Sequence, residues 1–293
     1  MSPAKRSLDF FFILLAVSVI LLAGCNSSGS IGFENSPVNL LGEKNSVYMK
    51  VPVKEYPELT KKIMMEKASL SESNASMVVS RVTNLYAGLD FSNGGQKLEM
   101  AAEGNFPSSF AGLALTEKRG WKKKSHSVQV SDSAGKEKSV KFKYFDGGAY
   151  CVSFPSGSLV LVSSDVTKML DRYATKAVSE ESPHLQWFEN ADEFDKDILF
   201  YLKEPGSLLA SFVGDSLSNW FSSAYGKISK CGDGEYNMEI NLSPVDERRK
   251  NLAVTMMTLA GLSVIKSGNN ELKIPDLRFS EEQIADFVFG GAN

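Results

Sequence analysis

The sequence has very few of the residues that build metal sites and acid–base centres. Of its 293 residues, two are histidine and three are cysteine. Neither His126 nor His184 has a carboxylate or a cysteine at a ligand-like spacing. We therefore expect both histidines to be solvated surface residues, and we expect no metal site and no cofactor.

Motifs for nucleophile and phosphate chemistry are also missing. The sequence has no Gly-x-Ser-x-Gly elbow, no phosphate-binding loop, no Gly-x-Gly-x-x-Gly after a strand and no Asp-rich calcium loop. These absences predict a protein that is not an enzyme. The alternative is a hydrolase that acts on an envelope glycan or lipid through scattered carboxylates, which need no local motif.

The charge is nearly balanced. Lysine and arginine number 32, aspartate and glutamate number 35, and the net charge is −3. A mildly acidic chain has no general attraction to a polyanion, so nucleic acid is not an expected partner. At 43% hydrophobic residues, the chain can nevertheless bury a substantial core.

Long apolar runs are absent except at the N-terminus. Phe10 to Ala23 is a run of 14 residues interrupted only by Ser18, and Lys5 and Arg6 precede it. A bilayer-spanning helix needs about 20 apolar residues. A basic start, a short apolar run and small residues at its end are typical of a secretory signal peptide, here residues 1–24.

The residues that follow this run indicate lipidation. Leu22-Ala23-Gly24-Cys25 resembles the lipobox of bacterial lipoproteins. The resemblance implies cleavage before Cys25, a diacylglyceryl group on its thiol and a membrane partner for the acyl chains. Asn26 follows the cysteine, where an Asp would be the retention signal of the inner membrane in enteric bacteria. By that analogy, the outer membrane is favoured over the inner one.

The remainder of the chain divides into a tether and a body. Residues 25–45 are rich in Ser, Asn and Gly, which favours a flexible tether. Regular patterns begin at Ser46. In the body, Tyr48-Met49-Lys50-Val51-Pro52 is matched by Tyr201-Leu202-Lys203-Glu204-Pro205. The repeat suggests an internal duplication.

Each half continues with the same order of patterns. A helical stripe follows each proline, with Tyr56, Leu59 and Ile63 in the first half. Hairpins are then predicted at Asn93-Gly94-Gly95 and at Gly232-Asp233-Gly234. Next comes an X-Pro pair and a helix. In the second half, this helix is predicted to be capped by Ser243 and to bury Leu252, Met256 and Leu259.

Both halves close with a strand and a helix. In the first half the helix has the stripe Val166, Met169, Leu170, and in the second half a capping box is predicted at Ser280 and Gln283. The order predicts an α+β fold of two ferredoxin-like, split βαβ modules. We expect them at 46–177 and 197–293, joined by a linker at 178–196.

One basic run interrupts the otherwise mixed charge. Trp121 is followed by Lys122, Lys123 and Lys124. A tryptophan beside lysines is common at membrane interfaces, so these four residues are a candidate patch for an anionic partner. The alternative is an edge strand that lysines protect against aggregation, and this alternative is favoured.

Two cysteines remain after lipidation. Cys151 and Cys231 lie in different halves. An oxidising compartment would permit one disulfide between them. Two separate, buried thiols are the favoured alternative.

Anchor, tether and body together predict a lipid-anchored protein of the cell envelope. We expect it to act in binding or scaffolding, with another envelope protein, a glycan or a lipid headgroup as partner. An enzyme would show two facing carboxylates in a concave pocket, about 5 to 10 Å apart. A binding protein would show an exposed apolar patch.

Overall fold

The structure is a computed structural model that describes residues 36–68, 71–90, 97–106, 115–131, 135, 137–176, 182–190, 194–206, 219–232, 234–268 and 270–284. Within this part of the chain, twelve strands form one sheet. In the first half the strands are β1 Val47–Pro52, β2 Val82–Asp90, β3 Lys97–Gly104, β4 Lys122–Ser131, β5 Glu137–Asp146, β6 Cys151–Ser156 and β7 Leu159–Ser163. In the second half they are β8 Ile198–Lys203, β9 Phe221–Gly232, β10 Glu235–Pro244, β11 Ile265–Ser267 and β12 Glu271–Ser280.

Helices cover both faces of this sheet. The α-helices are α1 Pro57–Ala68, α2 Glu72–Arg81, α3 Val166–Thr175, α4 Pro183–Glu189 and α5 Glu247–Leu259. Two 3₁₀ helices lie at Pro37–Leu40 and Glu117–Arg119. One hydrophobic core lies under α1, α2 and α5, and a second lies under the first 3₁₀ helix, α3 and α4. Alternation along the central strands supplies both cores, because successive side chains point to opposite faces.

The central strands are β1 and β8. Moving outward, the order is β1-β2-β3-β7-β6-β5-β4 on one side and β8-β9-β10-β12-β11 on the other. All described pairings are antiparallel. Tyr48 lies directly opposite Tyr201, so the two copies of the repeated sequence meet at the centre of the sheet.

The α+β class is correct, but the modules do not have the ferredoxin-like strand order. In a split βαβ unit, the two strands that a helix connects are parallel and another strand lies between them. Here β1 and β2, which α1 and α2 connect, are direct antiparallel neighbours. The strands of both halves also continue as one sheet through the β1–β8 pair. The sequence patterns therefore predicted the fold class, but they did not predict which strands are neighbours in the sheet.

Several local patterns form as predicted. Tyr56, Leu59 and Ile63 are buried on α1, and Val166, Met169 and Leu170 are buried on α3. β2 pairs with β3 and β9 pairs with β10, as expected of hairpins. The predicted turn residues 93–95 and 233 lie outside the described residues. The capping box at residue 280 is formed: the Ser280 amide donates to the Gln283 side chain at 2.9 Å, and the Gln283 amide donates back at 3.3 Å.

Two segments that were predicted to connect folded parts contain folded structure themselves. The predicted tether, 25–45, includes the 3₁₀ helix at Pro37–Leu40, whose residues are buried. The predicted linker, 178–196, includes α4, which buries His184, Leu185 and Phe188 against the sheet. Both segments are short and polar overall, so their few apolar residues were not predicted to be buried.

The stripe on α5 is a further correction. Ser243 and Pro244 end β10, and the helix is instead capped by Asp246, whose carboxylate accepts from the Arg249 amide at 2.7 Å. Lys250, Ala253 and Met257 are the residues that α5 buries. Of the predicted stripe, Leu252 and Leu259 are exposed, Leu259 at 83%, whereas Met256 is partly buried and packs against the first core.

Candidate functional site

Residues 36–45 are the described end of the predicted tether and are here called the anchor segment. Cys25 lies outside the described residues, so the lipobox assignment stays a prediction from sequence. The described chain begins at Ser36 and enters the fold through the first 3₁₀ helix, which packs beside α3 and β3. The anchor segment therefore joins the body at this corner of the molecule.

Glu99 holds this entry point. From β3, its carboxylate accepts hydrogen bonds from the backbone amide of Gly42 and from the Asn45 amide side chain at 3.1 Å. It also pairs with the Arg172 guanidinium of α3 at 2.7 Å. Because three donors converge on one carboxylate, the end of the anchor segment is bonded to both the sheet and α3.

Two further bonds hold the same segment. The Tyr48 hydroxyl donates to the Gly42 carbonyl at 2.8 Å, and the Lys203 ammonium donates to the Glu43 carbonyl. Burial raises the pKa of Tyr48 far above its ordinary value, which keeps the hydroxyl protonated as a donor. Sequence analysis missed this cluster, because its members are separated by up to 160 positions.

The predicted patch at Trp121, Lys122, Lys123 and Lys124 does not form as a unit. Trp121 is buried in the core, where its ring lies against Gly147 so closely that a β-carbon there would be 2.8 Å away. The three lysines follow on β4, the outermost strand of the sheet, and all are exposed. Trp121 therefore cannot present its ring to a membrane surface beside them. The lysines lie where the edge-strand alternative expected them.

Lys124 already has a partner. Its ammonium pairs with the Asp146 carboxylate of β5 at 2.6 Å. This hydrogen bond, together with one from the Gly148 amide, lowers the pKa of Asp146, and the pKa of Lys124 is raised in turn. Both groups are therefore charged at neutral pH, and Lys124 contributes little to a surface that would attract anions.

The two histidines have different environments. His126 lies on β4, and its Nε2 is 2.7 Å from Asp171 on α3, so it is partly covered. His184 is 1% exposed and stacks on Tyr48 with ring centroids 4.0 Å apart. Burial, with a smaller contribution from Lys203, lowers the pKa of His184 to about 4. The prediction of a solvated His184 is wrong, since α4 carries it into the second core.

The remaining cysteines are separate and free. Cys151 begins β6 and is half-buried, whereas Cys231 is exposed near the end of β9. The disulfide alternative is therefore not realised, although only one of the two thiols is shielded. Burial raises the pKa of the Cys151 thiol, which keeps it protonated and unreactive.

The described residues contain neither a cluster of metal ligands nor a membrane-spanning helix. Searching them finds no group of three His, Cys, Asp or Glu side chains placed to bind a metal ion. Over the same residues, no helix combines the length and the apolar character needed to cross a bilayer.

A comparison with protein families identifies the chain. The family model described as "Outer membrane-associated lipoprotein TP0453" matches residues 34–285. The chain belongs to this family. It is therefore a lipid-anchored protein of the cell envelope, associated with the outer membrane. The body, which sequence analysis left unassigned, is thus part of a recognised family, and the matched range includes both halves.

Solved structures agree with this family assignment at the level of fold. Crystal form I of TP0453 superposes with a TM-score of 0.65 at 16% identity, covering 88% of this chain and 98% of that chain. Crystal form IV gives 0.63 at 17% identity, with 86% and 96% covered. Crystal form III gives 0.63 at 16% identity, with 87% and 98% covered. No curated protein matches the sequence.

Proposed function

We propose that this member of the TP0453 family is a docking protein that works without a catalytic centre of its own, held to the outer membrane by acyl chains on Cys25. The bonding of Gly42 and Asn45 to Glu99 carries the proposal. This bonding fixes the point at which the anchor segment leaves the body. A body fixed in this way presents defined surfaces to the membrane and to other envelope components.

The two acidic residues of β3 both form bonds within the fold, which supports a non-catalytic role. Glu99 is neutralised by Arg172, and Glu103 accepts from Asn84 at 3.0 Å and from the Tyr86 hydroxyl at 3.2 Å. These carboxylates are four residues apart on one strand, or roughly 13 Å. Glycosidase pairs are separated by about 5 to 9.5 Å. The two glutamates are therefore too far apart for a glycosidase pair, and their bonds fit a structural role.

An arrangement of two related modules, 46–177 and 197–293, is part of the same proposal. The mirrored order β1-β2-β3-β7 and β8-β9-β10-β12 supports it, as does the position of Tyr48 opposite Tyr201. Duplication of one unit would account for both features. The ferredoxin-like order is not part of this proposal.

Membrane fractionation tests the anchor. Cys25→Ala should move the chain from the outer-membrane fraction to the soluble envelope fraction, because the acyl chains are lost. Cys231→Ala is the matched control, since it removes an exposed thiol elsewhere in the body and should leave the chain in the membrane. Retention of the Cys25→Ala protein in the outer membrane would contradict the proposal.

Purification from solubilised membranes tests the docking role. The acylated protein should co-purify with a specific envelope component, which should be lost when the body is unfolded before capture. The hydrolase alternative predicts instead that the purified protein turns over an envelope glycan or lipid. Turnover that is lost on a single carboxylate change, with the fold intact, would overturn the non-catalytic proposal.

A further inference from the structure

The strands β4 and β5 extend beyond the body of the sheet. β5 pairs with β6 only through Tyr144, Phe145 and Asp146, whereas its pairing with β4 continues to Glu137. Residues 122–131 and 137–143 thus form a two-stranded ribbon, here called the basic ribbon. Residues 122–146 contain seven lysines and three carboxylates, in a chain whose net charge is −3. Positive charge is therefore concentrated in this one projection.

One face of the basic ribbon is covered by α3. On this side His126 contacts Asp171, and the Phe142 ring meets Tyr173 edge-on at 5.8 Å. Val128, on the same face, is buried. These contacts fix the ribbon to the helix and leave the opposite face free to meet a partner.

The opposite face is polar along its whole length. It is here called the lysine face, and its members are Lys123, Ser125, Ser127, Gln129, Ser131, Glu137, Ser139, Lys141 and Lys143, all of them exposed. Within the described part of the chain, none of its three lysines forms an ion pair with a carboxylate. Lys141 and Lys143 are two residues apart on β5, or roughly 7 Å. Three unpaired lysines thus lie on one narrow surface, whose carboxylate, Glu137, is at its far end. The apolar neighbour of Lys123 on this face, Phe145, is buried in the core.

The anchor segment enters the body next to the same helix. The first 3₁₀ helix packs against α3, and Arg172 of α3 binds the carboxylate that holds Gly42. Between Cys25 and Ser36 there are eleven peptide steps, which span at most about 40 Å when fully extended. The basic ribbon packs against α3 as well, so the tether leaves it within reach of the leaflet that holds Cys25.

We propose that the lysine face contacts the anionic headgroups of the lipid leaflet in which Cys25 is anchored. The proposal rests on the anchored arrangement described above. Each lysine near an anionic lipid surface increases partitioning onto that surface roughly fivefold. Three lysines would bind weakly alone, but the tether supplies a high effective concentration and makes the contact intramolecular. The contact sets the orientation of the body on the membrane.

Lysine acetylation measured by mass spectrometry tests this contact without changing the fold. The mature chain, with an oligohistidine tag in place of Cys25, is tethered to vesicles that contain a nickel-chelating lipid. This tether is independent of acylation, so a failure of the lipidation proposal does not affect the outcome. Labelling rates are compared on vesicles of phosphatidylcholine alone and on vesicles with equal parts of phosphatidylglycerol. Lys54, Lys196 and Lys230 are exposed lysines away from the ribbon and are the controls.

The expected result is that Lys123, Lys141 and Lys143 are acetylated roughly fivefold more slowly on the anionic vesicles, while the three controls keep their rates. High salt should remove the difference, because the Debye length falls from about 10 Å at 0.1 M to about 3 Å at 1 M. Equal rates on both vesicles would overturn the proposal, and so would equal protection of the controls. Protection by soluble polygalacturonate in preference to vesicles would also overturn it, since the partner would then be an anionic glycan.

Discussion

His184 gives the stability of the protein a pH dependence that can be measured. It is neutral in the folded protein, with a pKa lowered to about 4, whereas an unfolded histidine has an ordinary pKa near 6.5. Above pH 6.5 neither state binds the proton, and the full stability is present. As the pH falls from 6.5 towards 4, only the unfolded state is protonated, so stability is lost.

We expect this one group to reduce the free energy of unfolding by about 2 kcal/mol between pH 7.5 and pH 5. Urea unfolding at the two pH values measures the loss. His184→Phe keeps an aromatic ring against Tyr48 but cannot titrate, so its loss should be smaller by about that amount. An identical pH dependence of the variant and the unchanged protein would show that His184 is not buried as a neutral ring.

Single residues were the hardest features to predict from sequence. The lipobox is local and needs no fold to be identified. His184, by contrast, follows a proline in a polar segment, and nothing near it in sequence reveals that Tyr48 and Tyr201 enclose it. Glu99 likewise acquires its role through Gly42, Asn45 and Arg172, which are 54 to 73 positions away.

At the scale of elements, α5 shows how periodicity leaves the buried face undecided. Leu252, Met256 and Leu259 have helical spacing, but so do Lys250, Ala253 and Met257, and the second set is buried. The helix begins after Asp246, later than the sequence pattern indicated, and packing against β10 and β12 selects the face. Helix propensity and residue spacing predict that a helix forms, whereas tertiary packing determines which of its faces is buried.

Two substitutions on α5 test this rotation. Met257→Ala should lower the free energy of unfolding by about 2 to 5 kcal/mol, because it leaves a cavity in the core. Leu259→Ala should change it by no more than about 0.5 kcal/mol, since that side chain is exposed. Denaturant unfolding measures both values. A larger loss of unfolding free energy for Leu259→Ala than for Met257→Ala would show that the face predicted from the sequence is the buried one.

At the scale of the whole molecule, the two halves share one sheet. They also share the core under α1, α2 and α5, here called the main core. That core contains Val51 and Val162 from the first half and Phe200 and Ile240 from the second. The sequence patterns predicted the β2–β3 and β9–β10 hairpins, yet they did not reveal that β1 and β8 pair. The helices predicted after Pro107 and Pro205 lie outside the described residues. The pairing depends on contacts between segments about 150 positions apart, to which local patterns are insensitive.

Shared packing leads us to expect that the halves unfold together. Trp121 reports on the first half and Trp220 on the second, and both pack against the main core. Variants that retain only one of them, with phenylalanine at the other two tryptophan positions, separate the two signals. In each variant the fluorescence midpoint in urea should coincide with the midpoint from circular dichroism. Separate midpoints would indicate two independently stable modules.

We propose that an acylated Cys25 holds the body to the outer membrane. Intact-mass analysis of the protein extracted from that membrane, combined with sequencing of its N-terminal peptide, tests this attachment. We predict a chain that begins at Cys25 and carries the added mass of a diacylglyceryl group on its thiol. A mature protein that begins at another residue, or that begins at Cys25 without lipid mass, would contradict the claim.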